Sequence, residues 1–184
     1  MNAARSEAFI RAANDSDHNA IWEIIRPAIE EGTTYPVPRD MSKDEALVEF
    51  WFSRGHEVFV AVGEDGQVAG TYFLHPNERA GNPSVANCGY VTASWATGRG
   101  IGRLMCAHSV EQAKQRGFLG MQFNSVVSTN DRALKLFQSL GFKIVRTLPA
   151  TFSHPTKGLV DTYVMYLGFE QELKETSQYA SWQY

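Results

Sequence analysis

Two cysteines, Cys88 and Cys106, are too few in 184 residues for a disulfide framework, and no Cys/His cluster has the spacing of a zinc site. Long apolar runs are also missing. The longest segments without charge, such as 80–98, are rich in Gly, Pro, Ser, Asn and Thr, so no membrane span is expected. The opening residues MNAARSEAFI have no apolar stretch of the kind a secretory signal needs, which points to a soluble, cytoplasmic protein. Neither charge dominates. A formal net charge of −3 removes the basic footprint of a nucleic-acid binder. Internal repeats and low-complexity linkers are absent too. With 20% charged residues the chain is too apolar to be disordered, and its length fits one domain with its own core.

The residues present punctuate the chain clearly. A short strand is read over 7–13, and a helix begins at Asp15-Ser16-Asp17, carrying Ala20, Ile21, Ile24, Ile25 and Ala28 on one face. Pro27 is expected to kink or shorten its last turn. After a loop over 31–42, Ser42 and Glu45 form a capping box that opens a second helix to about Ser53. Strands at 57–62 and 67–75 flank Asp65-Gly66, a hairpin signal. A strand at 84–93, a helix at 101–116 ending on Gly117, a strand at 121–127 and a helix at 130–140 follow. Two last strands at 142–147 and 159–167 complete the order β α α β β β α β α β β. This order predicts a mixed α/β or α+β sheet with helices on its faces, in one domain over 5–168 with a tail over 169–184.

Chemistry concentrates in ATGRGIGRLM, residues 96–105, between a strand and a helix. Glycines there let backbone N–H groups converge on an anion at a helix N-terminus, and Arg99 and Arg103 add positive charge. A dinucleotide fingerprint starting at Gly98 and Gly100 would need glycine at 103, which is arginine. The G-K-[ST] of a P-loop is missing as well. A tight turn that only allows close helix–strand packing is the remaining alternative for the cluster alone.

T-G-R-G-I-G (97–102), followed after a helix and a strand by N-D-R-A-L-K-L-F-Q-S-L-G-F (130–142), resembles the GCN5-related N-acetyltransferase superfamily. That resemblance implies a central mixed sheet of about seven strands flanked by about four helices, with acetyl-CoA as acetyl donor. It places the pyrophosphate on the backbone around Thr97, Gly98, Arg99, Gly100, Ile101, Gly102 and Arg103. It lays the pantetheine arm along Thr92 and Ala93, with Asn130 touching the arm from the next helix. Two departures stand out. Thr97 replaces the usual Arg or Gln, and Phe137 replaces the Tyr that protonates the departing thiolate in many members.

N-C-G-Y (87–90), F-N-S-V-V-S-T-N (123–130) and the glycine turn are further similar to azetidine-2-carboxylate N-acetyltransferases, which act on proline-like amino acids. The likeness implies that Asn87 and Asn124 hold the acceptor and assist its acetylation. Both are amides within strand patterns that disfavour asparagine, although each also suits a local backbone cap. An amide is no base at neutral pH, so their expected task is to orient the amine, its carboxylate and a relaying water.

His75 is a candidate relay, Tyr35 a candidate pocket wall, and Cys88 a core thiol rather than a nucleophile. The expected acceptor is therefore a small amine, an amino acid or proline-like analogue, attacking directly in a ternary complex. Other amines and a non-catalytic acetyl-CoA-binding module are the rival readings. No metal is expected. The resemblance implies a homodimer, with Trp182 and Tyr184 as candidate interface residues.

Overall fold

The structure is a computed structural model and describes residues 8–78 and 84–169. Seven strands form one sheet in the order β1-β2-β3-β4-β5-β7-β6. They are β1 (Phe9–Ala12), β2 (Glu57–Val62), β3 (Val68–Pro76), β4 (Val85–Thr92), β5 (Gly120–Val127), β6 (Lys143–His154) and β7 (Gly158–Gly168). The helices are α1 (His18–Glu31), α2 (Lys43–Glu45), α3 (Ile101–Gln115) and α4 (Asp131–Ser139). This is the mixed α/β architecture expected from the element order. The proposed tail interface residues Trp182 and Tyr184 lie outside the described residues.

Alternation along the strands builds two cores. Val58, Val60, Val62 and Phe73 face Ile21, Ile25 and Ile29 of α1, together with Trp51. Phe59, Ala61, Tyr72, Cys88, Met121 and Phe123 face the other way, toward Ile101, Met105 and Cys106 of α3 and Phe137 of α4. Substrate-facing groups must therefore come from strand edges, loops and the sheet positions that the helices leave partly uncovered.

Three local features differ from expectation. α1 runs four residues beyond Pro27 to Glu31 and ends on Gly32 at φ 64°, because the proline removes only one helical N–H while Ile29 is anchored in the core. The capping box at Ser42 and Glu45 forms, but the regular helix stops at Glu45 and Ala46–Trp51 is a π-helical turn. That wide turn lets Trp51 reach the sheet, where its indole N–H donates to the Thr71 hydroxyl at 3.0 Å in full burial. β6 is twice the expected length, reaching His154. The edge position and a register shift between Leu148 and Phe152 accommodate Pro149 within it.

The decisive feature lies at the sheet's centre. β4 and β5 are parallel and are registered only at Val85 with Gly120 and at Ala86 with Met121. Beyond that point the two strands separate.

Candidate active site: a split in the sheet

β4 alternates its backbone between two neighbours. Ala93 donates its N–H to Ala69 O at 2.9 Å and Asn77 donates to Val85 O at 2.7 Å, so odd-numbered residues bond toward β3. The N–H and C=O groups of Cys88, Tyr90 and Thr92 therefore face the side that β5 has left. Two are satisfied locally: Asn87 Oδ1 accepts the Cys88 N–H at 2.9 Å, and the Tyr35 hydroxyl donates to Tyr90 O at 3.0 Å. Burial pushes the Tyr35 phenol well above its usual pKa, which keeps it protonated as a donor and a fixed wall of the split. Among the described residues no strand faces Thr92 on that side. Ala93, expected beside it as a contact for the same arm, commits its N–H to Ala69 and its carbonyl to Ala96, so the open backbone is that of Thr92.

At the end of β4 a short turn over Ser94–Ala96 leads into α3. Gly98 and Gly100 adopt φ 81° and 83°, a left-handed region that glycine enters without strain. An added Cβ at either meets nothing within 4 Å among the described residues, which leave the turn open above both. The first 4-residue helical bond runs from Leu104 N–H to Gly100 O at 3.0 Å, leaving Ile101, Gly102 and Arg103 as first-turn donors. Thr97 is exposed and extended. Arg99 lies over the Trp95 ring at 5.7 Å, while the Arg103 side chain donates to the Ser139 hydroxyl at 2.8 Å. Asn130 caps α4, its Oδ1 accepting the Ala133 N–H at 3.2 Å. A groove of about 740 Å³ between α1 and the ends of β3 and β4 includes Thr92 and Ala93 but neither Asn87 nor Asn124.

The sheet face on the α1 side carries a second polar group of side chains. Asn87 stands opposite His75 in the β3–β4 register. The His75 ring stacks on His56 at 4.5 Å, and His56 stacks on Phe73 at 4.3 Å. His75 Nδ1 donates to Pro76 O at 2.8 Å and His56 Nδ1 donates to Trp51 O at 3.0 Å. Burial holds His56 below the ordinary histidine pKa.

On β5, Asn124 exchanges two hydrogen bonds with the fully buried Asn77, at 3.0 and 2.8 Å, and accepts a third from Gln122 at 2.9 Å. Asn87 and Asn124 thus flank the split from neighbouring strands, each tied to different partners. Sequence reasoning missed Asn77, Gln122 and His56. Asn77 follows a proline and reads as an ordinary loop residue, and only tertiary structure brings it across to β5.

The remaining sequence candidates find plain roles. Burial pushes the Cys106 thiol up to about 12 and the Cys88 thiol higher still, so neither is a nucleophile. Phe137 is buried against Phe123 and Tyr90, with ring centroids at 4.4 and 5.9 Å, and offers no proton there. Among the described residues, no group of three or more His, Cys, Asp or Glu side chains is placed to hold a metal, and no helix is long and apolar enough to cross a membrane.

A split parallel pair beside a glycine turn is an arrangement shared with known enzymes. The sequence profile of the Acetyltransferase (GNAT) family matches residues 19–142. The chain belongs to the GNAT family. It is 26% identical over 163 residues to the N-acetyltransferase aca1 of Schizosaccharomyces pombe, covering 79% of this chain and 77% of that protein. A GCN5-related N-acetyltransferase from Kribbella flavida is 35% identical, with a TM-score of 0.80 over 88% of this chain and 98% of that one. A GNAT-superfamily phosphinothricin acetyltransferase from Sinorhizobium meliloti, solved in complex with acetyl-CoA, shares the fold at 23% identity and a TM-score of 0.77 over 88% of each chain. GNAT proteins are thus solved with acetyl-CoA as co-substrate, and this chain is an N-acetyltransferase of that family.

Proposed function

We propose that the protein transfers the acetyl group of acetyl-CoA to the amine of a small molecule, an amino acid or proline-like analogue, with both substrates bound together. One observation carries this reading. The gap between β4 and β5 has an open, donor-rich turn at one end and two neutral carboxamides, Asn87 and Asn124, on its flanks.

The residues present suit the co-substrate. The pyrophosphate fits the N–H groups of Gly98 to Arg103, where the open space above Gly98 and Gly100 admits it. Arg99 contributes charge, Thr97 and Asn130 contribute side-chain contacts, and the free backbone of Thr92 takes the place of a missing strand for the pantetheine arm. Acetyl-CoA supplies the activated thioester. The chain must hold and deprotonate the acceptor.

An alkylammonium has a pKa near about 10.4, so it must lose a proton before it attacks. Asn87 and Asn124 hold the acceptor's polar groups and an ordered water, which takes that proton toward solvent. Alignment alone is worth effective molarities of roughly 10⁵–10⁸ M. A thiol of pKa near about 8.5 leaves readily as thiolate, so phenylalanine at 137 withholds no essential acid.

The polar side chains named around the split are amides, imidazoles and the Tyr35 phenol, which is held protonated. That neutrality suits a small zwitterion better than a polyamine. A peptide acceptor is the alternative within the same chemistry.

Release of free thiol from acetyl-CoA, followed against azetidine-2-carboxylate, proline, common amino acids, a polyamine and a peptide, tests the reading. Turnover confined to amino acids and lost in Asn124→Ala is the expected result. Turnover with the polyamine or peptide alone would replace the acceptor class.

The protein pairs as a homodimer through β6, an edge strand with no further strand beside it among the described residues, which exposes Ile144 and Val145, with Leu159 at the start of β7.

A further inference from the structure

We infer that Asn77 is a positioning residue for acetyl transfer, acting through Asn124. Asparagine is seldom fully buried, yet Asn77 is 0% exposed. Its backbone N–H already closes the β3–β4 connection on Val85 O at 2.7 Å. Local structure therefore does not require the side chain. The carboxamide instead crosses 47 positions in sequence to Asn124, donating to its Oδ1 at 3.0 Å and accepting from its Nδ2 at 2.8 Å. A reciprocal amide pair fixes both distance and plane, so the torsion of Asn124 is set by a group that solvent does not reach.

The pair also decides what Asn124 offers. Its Oδ1 carries two donors, Asn77 Nδ2 and Gln122 Nε2, which fills both lone pairs. One Nδ2 proton is given to Asn77. One N–H remains. Asn124 therefore presents a donor to an oxygen of the bound acceptor or acetyl group, and no acceptor for the attacking ammonium. The inference rests on the proposal that Asn124 faces the reacting groups.

A double-mutant cycle with steady-state kinetics tests it. Asn77→Leu, close in shape and without polar atoms, is expected to lower kcat/KM for the acceptor roughly 10- to 100-fold while the KM for acetyl-CoA stays within about twofold. In an Asn124→Ala background the same substitution is expected to cost less than about twofold, because the group it positions is gone. Equal losses in both backgrounds would mean that Asn77 acts on the fold and would overturn the inference, as would full activity of Asn77→Leu alone.

Asn124→Asp keeps the shape but cannot donate, and is expected to lose as much as Asn124→Ala. Retained activity in Asn124→Asp would overturn the donor assignment. Should Asn77→Leu not fold, Gln122→Leu removes the second donor to the same oxygen from a half-buried site and is expected to show a smaller loss with the same background dependence. Full activity of Asn124→Ala would instead remove the acceptor-site reading itself, a result distinct from failure of the Asn77 step.

Discussion

Gly98, Gly100 and Gly102 look alike in sequence, but Gly102 is there for a different reason from the other two. Gly100 sits at φ 83° with open space around it, so its constraint is conformational. Gly100→Ala is expected to cost about 1–2 kcal/mol of stability through left-handed strain and to weaken acetyl-CoA binding, read by thermal unfolding and by titration. Gly102 is helical, and an added Cβ would stand 3.4 Å from Leu136 and 3.7 Å from Thr92, so Gly102→Ala is expected to be the milder change. Phe137 shows the limit of reasoning from one position. Its departure from the family pattern was legible, but its place inside an aromatic cluster was not. Phe137→Tyr is expected to alter kcat less than about twofold and to cost about 1–3 kcal/mol for a buried hydroxyl, measured by kinetics and denaturant unfolding.

Elements were read well where their signals are local. The capping box at Ser42 and Glu45 and the Asp65-Gly66 turn depend on residues a few positions apart, and each forms. The π-helical turn and the long β6 were missed because their causes are distant. Trp51 needs the Thr71 hydroxyl on β3, and β6 needs β7 to continue past Pro149. The cap of α4 also allows two roles of one residue to be separated. Asn130→Ser retains a capping oxygen but loses the amide N–H, whereas Asn130→Ala loses both. Both variants are expected to raise the KM for acetyl-CoA, while only Asn130→Ala loses about 1 kcal/mol of stability in denaturant unfolding. An unchanged KM in Asn130→Ser would leave Asn130 as a cap alone.

Whole-molecule behaviour follows from groups whose ionisation differs between folded and unfolded states. The Arg11 guanidinium, bonded to Asp17 at 2.6 Å, holds the buried Asp17 carboxyl below its usual range. That contribution is present above about pH 4, the unfolded value, and is lost as pH falls through the lower folded value. Burial likewise lowers His56 and His108, whose contributions are present above about pH 6.5 and fade on acidification below it. The melting temperature is therefore expected to fall in two steps as pH drops, and the first step is expected to shrink in His56→Phe. At the sheet's open edge, Val145→Lys is expected to shift the proposed dimer toward monomer in light scattering while leaving thiol release per chain intact.

Composition, caps, turns and periodicity determined the mixed α/β fold of this chain, and two spaced motifs marked its family, because each rests on short-range sequence patterns. The residues opposite β4, by contrast, were decided by tertiary structure alone. β5 pairs with β4 for two residues and then departs, which frees Thr92 and makes Tyr35 and Asn87 into caps of orphaned backbone groups. The same geometry carries Asn77 to Asn124. No local pattern encodes where two strands part, since that depends on helices packed against both faces and on a register shift between Phe123 and Val126.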